Sequence, residues 1–160
     1  MASDGSSSNF SFDDYNTPTY DKYNSELQSE GWITSNGVLA PEHDAARAHC
    51  GSNWRMPTYS ELQALYDNCT WTWTTKNGVN GYVVSGKGAY SGASIFLPAA
   101  GRGIGSSLRL AGSDGLYWSS VPGTGLYYDS RRLSFDLTFH DMDYFFRYHG
   151  RPVRPVFDVH

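Results

Sequence analysis

The sequence predicts an α+β fold: two short helices followed by a strongly twisted, mostly antiparallel sheet with long loops. Three observations predict it. Residues Thr70 to Thr75 alternate Thr and Trp, the period of a half-buried strand. Asn77-Gly78 and Asn80-Gly81 carry the residue types that hairpin turns demand. The 17 Gly and 7 Pro favour many turns and short strands over long helices.

The elements follow in order. Residues 1–9 are rich in Ser and Gly and are expected to be disordered. From Phe10 to Leu39 the chain is aromatic and polar without period, which reads as loop with short strands. Pro41 to Ala48 is expected to form the first helix. Pro41 suits the first turn, Glu42 and Asp44 suit the positive end, and alanines follow. Thr58-Tyr59-Ser60-Glu61 is a capping box that opens the second helix. Leu62, Leu65 and Tyr66 fall on one face of it, and Asn68 ends it. Strands are expected at Thr70–Thr75, Tyr82–Val84, Ser94–Leu97, Leu116–Ser119, Leu133–Phe139 and Val153–Val159. Gly101 to Gly105 reads as a loop. With no internal repeat and no interdomain linker, residues 10–160 form one domain.

Bulk properties narrow the function. Aromatic content of 16% against 39% hydrophobic residues makes burial lean on Trp, Tyr and Phe. A net charge of −4 argues against a nucleic-acid or anionic-membrane partner, since both need a basic footprint. No apolar run approaches the ~18 residues of a membrane-spanning helix. The start lacks the charged and apolar regions of a signal peptide. Cys50 and Cys69 are too few for a disulfide framework, and either one bridge or two half-buried thiols would fit.

The last third is the most telling. Between Gly115-Leu116-Tyr117-Trp118-Ser119-Ser120 and Arg147 to Val156 lies a stretch of aromatic and polar residues without regular period. Tyr127, Tyr128, Asp129, Ser130, Arg131, Arg132, Asp143, Tyr144, Phe145, Phe146, Tyr148 and His149 have the composition of an antibody binding loop. Such side chains combine large, rigid contact area with adaptable hydrogen bonding, so the stretch reads as a binding face.

Several motifs in order carry a resemblance. They are Asp44-Ala45-Ala46, Asn53-Trp54-Arg55-Met56-Pro57-Thr58, Asn68 to Thr75, Asn77 to Tyr82, Ser94 to Gly101, Tyr117-Trp118-Ser119-Ser120 and Gly150 to Val156. Together they resemble bacterial and phage proteins with a C-type-lectin-like domain, the major paralogous domain of Fibrobacter. Many of those are variable proteins of diversity-generating retroelements. The resemblance spans residue 38 to the end. It implies a lectin-like fold displaying a diversified face near its carboxyl terminus. In such systems a reverse transcriptase rewrites template adenines, and hypervariable AAY codons never yield Lys, Glu, Gln, Met or Trp. From Leu126 to His149 this chain has no Lys, Glu, Gln or Trp, and Met142 would be a fixed position. By the same resemblance Leu133, Phe135, Arg147 and Gly150 match scaffold positions. Tyr128, Ser130, Arg132, Ser134, Asp136, Asp143, Tyr144, Phe145, Phe146, Tyr148 and His149 match ligand-binding ones, within a variable region of about 126–149. The amino-terminal strands of relatives, with their Trp-Gly-Glu segment, are not evident.

Competing chemistries have less support. Asp136, Asp141 and Asp143 could ligate calcium, but the lectin triplets Glu-Pro-Asn, Gln-Pro-Asp and Trp-Asn-Asp are absent. The same acids could form a glycosidase pair. The histidines show no metal spacing, no Ser lies in Gly-x-Ser-x-Gly, and no cofactor motif is present. Trp54 and Trp118 could stack sugars, although large aromatics more often fill cores. Arg55 and Arg154 are expected to bind carbonyls or acids through their forks. The expectation is a non-enzymatic, cofactor-free binding protein, extracellular, on a cell surface or on a phage particle. Its partner would be a cell-surface protein or glycan, with no nucleic acid and no membrane insertion. The alternatives are a fixed carbohydrate-binding module and a glycan hydrolase.

Overall fold

The computed structural model describes residues 22–123 and 129–158. Residues 1–9, Tyr127 and Tyr128 lie outside them. The described part is a small α+β protein with three α-helices and ten short strands, every pairing antiparallel. No helix among the described residues is long and apolar enough to cross a membrane.

Helix α1 (Asn24–Ser29) stands where loop with short strands was expected, so the helix count rises from two to three. The Glu26 carboxylate accepts from the Tyr23 N–H at 2.7 Å, and Leu27 is its buried anchor. Ile33 and Leu39 then form an isolated bridge.

The expected helix at Pro41–Ala48 is split. Pro41–His43 is a 3₁₀ turn, and α2 covers Ala45–Cys50. Asp44 breaks the run because its carboxylate caps the next helix, accepting from Ala46 N at 2.8 Å and Arg47 N at 3.1 Å. The same carboxylate accepts from Met56 N at 2.9 Å, pinning α2 to the strand β1 (Trp54–Arg55). The capping box behaves as expected. Thr58 Oγ1 accepts from Glu61 N, and Glu61 Oε2 from Thr58 N at 2.8 Å, opening α3 (Tyr59–Asn68).

Four small sheets replace the single sheet expected. Strands β2 (Thr70–Lys76), β3 (Val79–Ser85) and β4 (Ser94–Pro98) form a meander. Asn77 (φ 51°) and Gly78 (φ 78°) make the two-residue turn between β2 and β3. Asn80-Gly81 is not a turn: it lies inside β3, because the preceding turn already sets the register. Gly81 is required there, since a Cβ would sit 2.2 Å from the Leu97 carbonyl oxygen. Gly101 to Gly105 is likewise a hairpin rather than a loop, formed by β5 (Arg102–Ile104) and β6 (Ser107–Arg109).

The third sheet is β7 (Gly115–Pro122), β8 (Asp129–Phe135) and β9 (His140–Phe146), with β8 central. The strand expected at Leu133–Phe139 thus ends at Phe135, and the supposedly aperiodic binding stretch is largely a hairpin. Its turn is built by Asp136, whose Oδ1 accepts from Thr138 N at 2.6 Å, Thr138 Oγ1 at 2.7 Å and Phe139 N at 3.1 Å. At the end, among the described residues of the expected Val153–Val159 strand, only Val156–Phe157 (β10) pairs, back onto β1, and Val159 lies outside them.

The core is aromatic-led, as the composition predicts. Leu62, Tyr82, Val84, Leu97, Tyr117, Leu133 and Phe135 form one buried cluster. Phe135 is edge-on to Tyr82 at 5.3 Å and stacked near Tyr117 at 6.0 Å. Gly115 clears room for it, since a Cβ would lie 1.9 Å from the Phe135 ring. Arg55 makes the acid contacts expected of it. Its Nη1 and Nη2 bond Glu61 at 2.7 and 2.6 Å, and its Nε bonds Asp158 at 2.5 Å. Cys50 and Cys69 are unbridged and half-buried.

Candidate functional site

Strand pairing sorts the candidate residues onto two faces. Arg132 lies opposite Asp143, Ser130 opposite Phe145, and Ser134 opposite Asp141, so these six share one face of the β8–β9 ribbon. Trp118, opposite Arg132 on β7, joins them. Leu133, Phe135, Met142 and Tyr144 alternate onto the other face, where Leu133 and Phe135 are 0% and 1% exposed. Each β8 residue therefore serves either the core or the outer face.

The outer face centres on Phe145. Three guanidinium groups surround its ring: Arg132 at 4.7 Å, Arg151 at 4.8 Å and Arg102 at 5.5 Å from the centroid. The His149 ring stacks on it at 5.1 Å. Arg151 also lies 4.5 Å over Trp118, whose indole N–H donates to the His149 carbonyl at 3.2 Å. Arg102 comes from β5, brought in by the bridge between Gly103 and Gly150.

One carboxylate answers these charges. Asp143 accepts from Arg132 Nε and from Arg132 Nη2, the latter at 2.8 Å, in a bidentate pair. The Ser134 hydroxyl donates weakly to it at 3.4 Å. Burial pushes the His149 imidazole down to about 4, helped by Arg151, Arg102 and Arg132. His149 is therefore neutral at pH 7, and its Nδ1 is placed to accept from Arg151 Nη2 at 3.3 Å. Burial, then Arg132 and Arg102, lowers the Arg151 guanidinium to about 9 against the opposing pull of Asp143.

The remaining candidates are dispersed. Tyr148 is exposed, edge-on to His149 at 4.5 Å and stacked on half-buried Phe146 at 5.5 Å. Tyr144 is exposed but on the opposite face from Phe145, so Tyr144, Phe145 and Phe146 do not make one patch. Asp136 is committed to its turn, where the bonds from Thr138 hold its carboxyl below the ordinary value. Ser130 is half-buried, and Arg132, Ser134 and His149 are buried. Tyr128 lies outside the described residues. The scaffold positions implied by the resemblance are structural here: Leu133, Phe135 and Gly150 are buried, and Arg147 donates to Asn24 Oδ1 at 2.8 Å and the Lys22 carbonyl at 2.6 Å.

Sequence reasoning missed Arg102 and Arg151 as site residues. Their signal is invisible in the chain order, because the Gly103–Gly150 bridge alone brings them together. Among the described residues, no group of three or more His, Cys, Asp or Glu side chains gathers as a metal site. Compared with known proteins, the chain matches no family model, no curated protein and no solved structure.

Proposed function

We propose that this protein is a non-enzymatic, C-type-lectin-like binding protein that recognises a cell-surface protein or glycan through the β8–β9 hairpin and the turn after it. The observation that carries this reading is the division of labour within one hairpin. Leu133 and Phe135 anchor it in the core, while Phe145, His149 and three arginines gather on the outer side, with exposed Tyr148 edge-on to His149. Aromatic and Arg side chains held on a rigid sheet are the residue types that dominate binding energy at interfaces. The motif resemblance adds that the face is diversified between gene copies, as in variable proteins of retroelements, and is displayed outside the cell or on a phage particle. A glycan hydrolase is less well supported, because the Asp143 carboxylate is held by Arg132 and Asp136 by its turn.

The test is binding of purified protein to a panel of intact bacterial cells. Replacing Tyr148 with Ser should weaken binding by about tenfold or more, while melting temperature stays nearly unchanged. Unchanged binding in that variant would overturn the reading. Sequencing the 3′ end of the gene tests the diversification: an imperfect repeat, mismatched only at template adenines, is expected.

A fixed carbohydrate-binding module has one observation of its own. Trp73, Asn80, Ser113, Asp114 and Asp136 line a shallow hollow, and a ring beside amide and carboxylate groups suits a sugar. Oligosaccharide binding lost in Asp114→Ala, yet kept in the tyrosine variant, would replace the first reading.

A further inference from the structure

Among the described residues, the three arginines around Phe145 are not electrically balanced. Asp143 is the carboxylate bonded within the group, and it is bonded to Arg132. Arg151 is 9% exposed, and its Nε and Nη1 are buried with no hydrogen-bond partner among the described residues. The Nε of Arg102 is in the same state. Burying a charged donor without an acceptor is costly, and each such group in a folded protein calls for an explanation, an ion among them. Water would satisfy the donors but would leave the positive charges facing one another. An oxyanion arriving at the half-buried Arg102 guanidinium balances the charge, and guanidinium forks suit planar carboxylates.

We infer that Arg102, Arg132 and Arg151, arranged around Phe145, form an oxyanion site that receives an Asp or Glu side chain of a protein partner. This rests on the reading of the outer face as a binding surface. The chemistry of the face favours a protein over a glycan. Sugar hydroxyls need carboxylate and amide partners, and Asp143, the carboxylate at the centre, is already engaged by Arg132 and Ser134. The rim is instead apolar and aromatic: Tyr148 is 43% exposed, and Ile104, two residues from Arg102 on the same side of β5, is 36% exposed. Aromatic and Arg residues around a buried charge contact are the composition of a protein interface.

The experiment follows the arginine side-chain Nε–Hε resonances by NMR while a glutamate-rich decapeptide is added. A heparin oligosaccharide and inorganic sulfate are added separately at matched ionic strength. The peptide is expected to shift the Arg102 and Arg151 resonances, with affinity that falls as salt rises. Arg102→Gln should weaken peptide binding by about tenfold or more, and Arg102→Lys, which keeps charge but loses the fork, should weaken it as well. Absence of peptide-induced shifts, or shifts produced only by heparin or sulfate, would overturn the assignment to a protein carboxylate. Peptide binding in a protein whose cell binding ignores Tyr148 would refute the reading of the wider face and leave this site standing.

Discussion

Two groups of arginines in this protein use the same side chain to opposite ends. Arg47 and Arg55 meet Glu61 and Asp158, two cations against two carboxylates. Their bonds tie α2, β1, α3 and the segment after β10 into one unit. Around Phe145, three guanidinium groups meet one carboxylate among the described residues, that of Asp143. The first group is closed: its carboxylates are held low, Glu61 at about 2, chiefly by hydrogen bonds from Arg55. The second is open: its arginine and histidine are pushed down by burial and by one another. The contrast teaches that charge balance, rather than the presence of arginine, separates a structural clamp from a face that still needs a partner.

The sharpest way to break this comparison is Arg55→Ala. It removes bonds to Glu61 and Asp158 together, and should cost about 2–3 kcal/mol in chemical denaturation. A negligible loss would show that the closed group is not a clamp.

A pH series separates the two groups next. The His149 value in the folded protein, about 4, lies below its ordinary 6.5, so the folded state resists protonation. Between those values the unfolded chain binds more protons, and stability therefore falls as pH drops from about 6.5 towards about 4. His140, lowered by burial beside Trp71, acts in the same direction. Glu61 runs in a lower window: its stabilisation is intact above its ordinary 4.5 and is lost as pH falls through about 2. In His149→Gln, the loss between pH 6.5 and 4 should shrink by about 2 kcal/mol. An unchanged slope would remove His149 from the open group.

The smallest effect is expected from Asp143→Asn. Deleting the lone carboxylate leaves the arginines unopposed, so stability should drop by about 1 kcal/mol at low salt and recover as salt screens the repulsion. A loss that is indifferent to salt would point to packing instead.

Local chemistry was legible where it was self-contained. The Thr58–Glu61 box, the Asn77-Gly78 turn and the Thr-Trp alternation each act within a few residues, and each appears where expected. Asn80-Gly81 carries an equally good turn signature but lies in a strand, because the preceding turn had already fixed its register. Helix α1 was missed because its register of anchors is weak, with Leu27 its one buried residue. The β8–β9 hairpin concealed its period for a different reason. On both of its faces side chains are packed, so Arg132, Leu133, Ser134 and Phe135 are all buried and polar does not alternate with apolar by exposure.

The sequence by itself determined the α+β class, the aromatic core, helix α3 with its capping box, and the location of the aromatic-polar stretch. Those properties follow from composition and from interactions between near neighbours. Only the tertiary structure decided which of that stretch's residues stand together. Strand pairing sent Tyr144 and Phe145 to opposite faces, and one bridge between Gly103 and Gly150 carried Arg102 to the ring of Phe145. A site assembled from β5, β8, β9 and the segment after it depends on long-range register, which no short window of sequence contains.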